Sequence, residues 1–267
     1  MTHVYEDAIF EKEEGIATLT LNLPERLNAL SPGIRQALLR AAEDVASDDD
    51  TRVLIITGAG RAFCSGADVR GLAGEVEIRS AEVGRRGIMG PLSLPVLRLS
   101  QLEKPVIAAV NGVAAGGGFG LAMACDIRIA SENARFISVF VRRGLPVEWG
   151  LSHFLPRAVG LAKALELMWT GEAIDAREAE RIGLVSKVVP ADELMKETRA
   201  LANKIAKGPP IAIELIKRAA YTGLQSNNLA AQLGYETYAA GVCARTEDFQ
   251  EGVKSFLEKR EAQFKGK

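Results

Sequence analysis

The sequence predicts an α/β fold that ends in an all-helical part. Three observations carry this. Short β-branched runs alternate with helical patterns over the first two thirds of the chain. The strand runs "RVLIITGAG" (52–60) and "KPVIAAVNG" (104–112) are apolar on both alternating faces, as in a buried parallel sheet. After about Pro190 the strand signals stop and helical patterns follow one another.

Taken in order, "GIATLTLN" (15–22) reads as a strand by alternation. "SPGIRQALLRAAEDVASDDD" (31–50) reads as a helix, with Ser31 as N-cap and Pro32 in the first helical position. "RVLIITGAG" is a buried strand closed by a glycine turn. A Gly- and Arg-rich stretch follows, then a helix around 91–102. "KPVIAAVNG" is the next strand. The glycines of "AAGGGFGLAMACD" (114–126) then lead into an apolar helix over 119–125. Further strands are expected at about 127–130 and 184–190. Beyond them, "ADELMKETRALANKIAKG", "PPIAIELIKRAAYTGL" and the segment to Lys267 read as helices.

Composition narrows the function classes. Of 267 residues, 48% are hydrophobic and 25% charged, which suits one large globular unit. A net charge of −1 gives no global field toward nucleic acid or an anionic membrane. The three cysteines (Cys64, Cys125, Cys243) form no CxxC pair, and the two histidines (His3, His153) lie far apart. That pattern predicts a reducing compartment, with neither a disulfide framework nor a metal site. The acidic N-terminus lacks the apolar core of a signal peptide, and no run is long enough to span a bilayer. A cytoplasmic protein is expected.

Gly116, Gly117 and Gly118 stand between a strand and a helix. The first amides of a helix lack internal partners and sit at its positive end. Without a Cβ in the way, they can meet a phosphate, a carboxylate or a developing oxyanion. Close helix–sheet packing at a tight turn explains the same glycines. "GAGRAFCSGADV" (58–69) is a second small-residue turn after a buried strand. It has neither the third glycine of a dinucleotide fingerprint nor the Gly-Lys-Ser/Thr of a P-loop. Two such turns can form a two-donor hole.

"GRAFCSGADV" together with "KPVIAAVNGVAAGGGFGLAMACDIRIAS" resembles the crotonase superfamily, the enoyl-CoA hydratase/isomerase family. "LPERLNAL" (23–30), "LPRAVG", "TGEAIDAREAERIGLVSKVVP" and "GVKSFLEKREAQF" extend the resemblance over nearly the whole chain. It implies a crotonase-like spiral of ββα repeats over 1–195 and a helical C-terminal trimerisation region over 196–267. It also implies a homotrimer, or a hexamer made of two trimers. The implied substrate is an acyl-CoA thioester, with no separate cofactor because CoA is carried as part of the substrate. The amides of Ala67 and Gly117 are implied to hold the thioester oxygen as an enolate forms.

The family's hydratases use two glutamates, one two residues after the glycine triplet and one in a PE dipeptide after A-x-F. Here those positions are Gly120 and Phe140. "RRGLPVEWGLSHFLPRAVG" offers another carboxylate, Glu148, among Leu145, Pro146, Val147 and Trp149. Apolar neighbours predict a desolvated side chain of raised basicity; a solvated loop glutamate is the plainer alternative. The position resembles that of the single acidic residue in the family's Δ3,Δ2-enoyl-CoA isomerases. It also resembles the nucleophilic aspartate position of its dehalogenases.

The expected reaction is a one-base allylic shift. Glu148 takes a C2 proton from a 3-enoyl-CoA and returns it at C4. Phe140, Leu145 and Trp149 would line the acyl pocket, or simply pack. Glu25, Arg26, Arg61 and Ser65, with Asp68, Val69 and Arg70, match positions that touch pantetheine or nucleotide. Phe256 and Lys259 match positions that reach a neighbouring subunit's CoA. Asp126, His153, Cys64 and Cys125 read as structural. Arg85 and Arg86, in the stretch 76–93, fit either an acidic acyl group or solvent. An atypical hydratase, a C–C or thioester hydrolase and an inactive acyl-CoA-binding scaffold remain as alternatives.

Overall fold

The computed structural model describes residues 2–67 and 93–267. The chain begins as an antiparallel meander of β1 (Thr2–Tyr5), β2 (Ala8–Glu13) and β3 (Ile16–Leu21). From β3 onward the pairing is parallel, through β4 (Val53–Gly58), β6 (Val106–Val110), β8 (Ile127–Ser131) and β11 (Lys187–Val189). These seven strands form one sheet in the order β1-β2-β3-β4-β6-β8-β11. A second sheet runs β10-β9-β7-β5, from β5 (Ala62–Cys64), β7 (Val113–Ala115), β9 (Arg135–Ile137) and β10 (Ala173–Asp175).

Successive strands therefore alternate between sheets. β4 is followed by β5, β6 by β7, and β8 by β9, each pair joined by a short turn. This is the ββα spiral implied by the resemblance. The short strands of the second sheet, and the β1–β2 hairpin, are not among the elements expected from the sequence. At three residues, β5, β7, β9 and β10 are too brief to show a period.

The large sheet buries both faces, which explains its unbroken apolar runs. Leu54 and Ile56 of β4 and Val106, Ala108 and Val110 of β6 face the main core, whereas Val53, Ile55, Ile107 and Ala109 face a second one. Helix α1 (Pro32–Ser47) lies on the first face. Ser31 Oγ accepts from Ile34 N at 3.0 Å, and Ile34, Ala37, Leu38, Ala41 and Val45 form the buried stripe. Helix α2 (Leu94–Gln101) also packs there, with Pro95 in its first turn. It is followed by α3 (Gly117–Ala124), α4 (Leu151–Val159), α5 (Leu161–Thr170) and α6 (Ala176–Arg181).

Helix α7 (Leu194–Ala206) covers the second face with Leu194 and Ala202. The expected division between 195 and 196 thus falls inside a helix that packs on the sheet. Helices α8 (Pro210–Gln225), α9 (Leu229–Cys243) and α10 (Glu247–Glu258) follow. The segment after α10 is not helical, contrary to the pattern read for it. Lys259 caps α10 in a left-handed conformation (φ 53°), and the tail beyond it forms no regular element. The buried Asp248 carboxylate accepts there from Lys265 N at 2.6 Å and Gly266 N at 2.8 Å. Among the described residues, no helix is long and apolar enough to cross a membrane.

Candidate active site

Two turns from different strands meet at one place. Asn28 is fully buried. Its Nδ2 donates to Ala59 O and Ala62 O at 2.9 and 2.8 Å, and its Oδ1 accepts from Leu23 N at 2.9 Å. Asn111 clamps the same turn through Gly60 O and Gly58 N. These bonds fix the path of β5 and of the Ser65–Ala67 segment beyond it. Ser65 N then donates to Leu27 O, and Gly66 O accepts from Leu30 N at 2.8 Å.

Gly66 has φ 85°, and a methyl group on it would fall 2.5 Å from Ala115 O and 3.0 Å from Gly117 N. Only glycine allows that approach. Gly66 is thereby brought against the first amide of α3, with the exposed Ala67 next after it in the chain. That amide has no carbonyl one turn earlier to bond, and it lies at the helix's positive end. The remainder of α3 is wholly buried and apolar. The result is a main-chain donor surface beside an otherwise non-polar helix.

Trp149 covers one flank of this helix. It is 5% exposed, yet its backbone is left-handed at φ 57°. A methyl group on Gly117 would lie 3.0 Å from both Cδ1 and Nε1 of the indole. One on Gly120 would lie 2.5 Å from Trp149 Cβ and from Trp149 O. Position 120 therefore lacks room for any side chain while Trp149 stays where it is. Phe140, also buried, stands at the start of the 3-10 turn Val141–Arg143, its ring tip 3.8 Å from where a Gly116 methyl would be.

Glu148 departs from expectation. It is exposed, as are Leu145 (50%) and Pro146. The left-handed turn at Trp149 sends the indole inward, and Val147 is half-buried against the core, but Leu145, Pro146 and Glu148 remain on the surface. The apolar neighbours in sequence therefore do not enclose the carboxylate, and Leu145 does not line an enclosed acyl pocket in this structure. The Glu148 carbonyl accepts from Leu151 N at 3.1 Å, where α4 begins.

Glu25 and Arg26 form an exposed 3-10 turn. Ser65 Oγ donates to Arg26 O at 3.4 Å, and Gly60, next to the exposed Arg61, packs on Pro24. So Glu25, Arg26, Arg61 and Ser65 share one rim beside the two turns. Asp68, Val69, Arg70, Arg85 and Arg86 lie outside the described residues. Phe256 (82% exposed) and Lys259 sit on and just past α10, not in this cluster.

The remaining polar groups have structural surroundings. Burial pushes the Cys64 and Cys125 thiols up to about 12, far from any thiolate. His153 is held below its ordinary value, first by desolvation and then by Arg157, and its ring stands edge-on to Phe154. Asp126 joins α8 to β6, accepting from Val106 N and Lys217 Nζ at 2.7 Å each and from the Tyr221 hydroxyl at 2.8 Å.

The sequence reading missed the Asn28 and Asn111 clamps and the seat of Trp149 against two glycines. The asparagines of "LNAL" and "VNG" and the "WG" dipeptide were the available signals.

Residues 11–267 match the family model described as enoyl-CoA hydratase/isomerase. A short-chain-enoyl-CoA hydratase of Clostridium acetobutylicum is 41% identical over 255 residues, 95% of each chain. A crotonyl-CoA hydratase of Syntrophomonas wolfei is 41% identical over 262 residues, 97% of this chain and 98% of the relative. Among solved structures, an enoyl-CoA hydratase from Bacillus anthracis superposes with a TM-score of 0.91 at 35% identity, covering 98% of this chain and all of that one.

Proposed function

Since the chain belongs to the enoyl-CoA hydratase/isomerase family, we propose that it moves a double bond in an acyl-CoA, from 3-enoyl to 2-enoyl, with Glu148 as the single acid/base. The observation that carries this reading is the contact between Gly120 and Trp149. Hydration needs carboxylates to orient a water and pass its proton. One hydratase position is taken up by the Trp149 backbone, and the other is the buried Phe140. An allylic shift needs only one group facing both C2 and C4.

In the proposed cycle, the thioester oxygen sits between the amides of Ala67 and Gly117. Glu148 removes a C2 proton. The electron pair delocalises toward the thioester oxygen and C4 as a dienolate, and the two amides stabilise that charge. Glu148 then returns the proton at C4. An N–H donor aimed at such an oxygen contributes about 3–4 kcal/mol. The acyl chain lying over Glu148 would supply the desolvation that the free protein lacks. Phe140 and Trp149 line the apolar side. Glu25, Arg26, Arg61 and Ser65 hold the CoA end, continuing into Asp68, Val69 and Arg70. Phe256 and Lys259 serve the CoA of a neighbouring copy in a trimer or hexamer. The apolar side chains left exposed on α8 and α9, among them Ile216, Leu224, Leu229 and Leu233, support such an assembly.

Atypical hydration is the second reading, favoured by the names of the two relatives above. Incubation with trans-3-enoyl-CoA and 2-enoyl-CoA, followed by mass and absorbance, separates the two. Isomerisation moves the double bond at constant mass, and hydration adds one water. Glu148→Gln is expected to lower turnover by roughly 10²–10⁴-fold while acyl-CoA binding survives. Water addition by the parent, or full turnover by the variant, would overturn the proposal.

A further inference from the structure

We infer that the Trp149 indole N–H is a third hydrogen-bond donor to the thioester oxygen, beside the two main-chain amides. This rests on the acyl-CoA reading above and extends it to a side chain. Four observations converge on it. A bulky residue at φ 57° is strained, and such strain persists only where the surroundings impose it. Here they do: Gly120 leaves no space between α3 and the Trp149 backbone, so the corner cannot relax inward. The indole edge that bears the N–H, Cδ1–Nε1, is the part that abuts Gly117. Both atoms are 3.0 Å from where a methyl group on Gly117 would be. In a helix that direction leans toward the N-terminus, the same end at which the Gly117 amide is free.

The fourth observation is the lack of a partner. An indole N–H in a residue this buried ordinarily finds an acceptor. Among the described residues Trp149 Nε1 has none, and it is not one of the fully enclosed unpaired atoms. It is therefore unpaired but not sealed among the described residues, on the indole edge that meets Gly117. An oxygen bonded to the Gly117 amide lies within reach of it. Packing alone would be served as well by phenylalanine.

The chain has two tryptophans, and Trp169 is 69% exposed, so the pair gives a signal and an internal reference. Indole ¹H–¹⁵N spectra of the full-length protein are to be recorded with butyryl-CoA and with the S-butyl-CoA thioether, which lacks the carbonyl. Butyryl-CoA is expected to move the Trp149 indole proton downfield. The thioether should not, and Trp169 should stay in place with both. If both ligands bind by calorimetry and give the same Trp149 shift, the inference fails while the acyl-CoA reading stands. If neither binds, the reading fails and takes the inference with it. In kinetics, Trp149→Phe is expected to lose about 10²-fold in kcat, as for removal of one oxyanion donor, with KM changed by less than about threefold. Undiminished kcat in a folded Trp149→Phe protein would also overturn the assignment.

Discussion

Gly120→Ala tests the claim that position 120 is closed. The added methyl would lie 2.5 Å from Trp149 Cβ and O and 3.1 Å from Trp149 C. Two of these are main-chain atoms, so no rotamer change removes the clash; α3 and the 148–150 corner must separate. Overpacking of this kind costs about 1–3 kcal/mol. Alanine recovers up to about 1 kcal/mol of helix propensity over glycine. With the helix term recovered in full, the net expectation is a loss of up to about 2 kcal/mol. At roughly 2–4 °C per kcal/mol for a chain of this size, the midpoint of thermal unfolding should fall by up to about 8 °C. Turnover should fall further than stability does, because the displaced corner carries both Glu148 and Trp149. Circular dichroism melts and enoyl-CoA assays on the same preparation read both. A Gly120→Ala protein as stable and as active as the parent would refute the argument. So would a Gly120→Glu protein that keeps parental stability and adds water to 2-enoyl-CoA, since the cavity would then have been open.

Three further predictions concern the scaffold. Hydrogen bonds from Lys12 and then Thr51 hold the Asp48 carboxyl down at about 2, from an ordinary 3.8. A depressed value means stabilisation that is present above pH 4 and lost as pH falls toward 2. Asp48→Asn should therefore weaken the fold at pH 7 but not at pH 2, and equal loss at both in urea titrations would contradict this. Asp126→Ala takes the carboxylate from the Lys217 ammonium, whose side chain is only 11% exposed and which keeps its bond to Lys104 O, and from the Tyr221 hydroxyl. Denaturant unfolding should show a loss of about 2–3 kcal/mol, below the full cost of breaking a buried pair because both partners keep some solvent; a loss under about 1 kcal/mol would place the join elsewhere. With their thiols near 12, Cys64 and Cys125 should resist alkylation at pH 8 in the native protein and react after unfolding. Native labelling of either would show that burial does not control them.

The long elements were legible because each repeats a pattern over enough residues to define a period. The stripe of α1 and its Ser31 cap could be read residue by residue. The two-sided burial of β4 and β6 followed from their unbroken apolar runs. The three-residue strands of the second sheet carry too few residues for any period. The two glycine turns were legible as candidates for a donor pair, but that they meet was not. It depends on Asn28 and Asn111, whose partners are main-chain atoms tens of residues away. Glu148 shows the opposite failure. Its apolar neighbours suggested enclosure, but Trp149 turns inward at a left-handed residue and Val147 is half-buried against the core, while Leu145, Pro146 and Glu148 stay exposed. Backbone sign at one non-glycine residue has no sequence signature.

These two lessons bear on what a relative's activity can say about this chain. The donor surface is main chain, held by glycines and buried asparagine amides, so it tolerates wide change in the side chains around it. On the proposed reading the proton-transfer group is a side chain on a separate loop, so fold and hole do not by themselves fix the reaction. Here the positions matching the two hydratase glutamates are a glycine pressed on Trp149 and a buried phenylalanine, and Glu148 stands next to that same tryptophan in sequence. On the proposed reading, the Trp149 corner that closes the space at Gly120 is also the corner that carries Glu148. On that reading the corner serves the allylic shift, and hydration through a carboxylate at position 120 would require it to move.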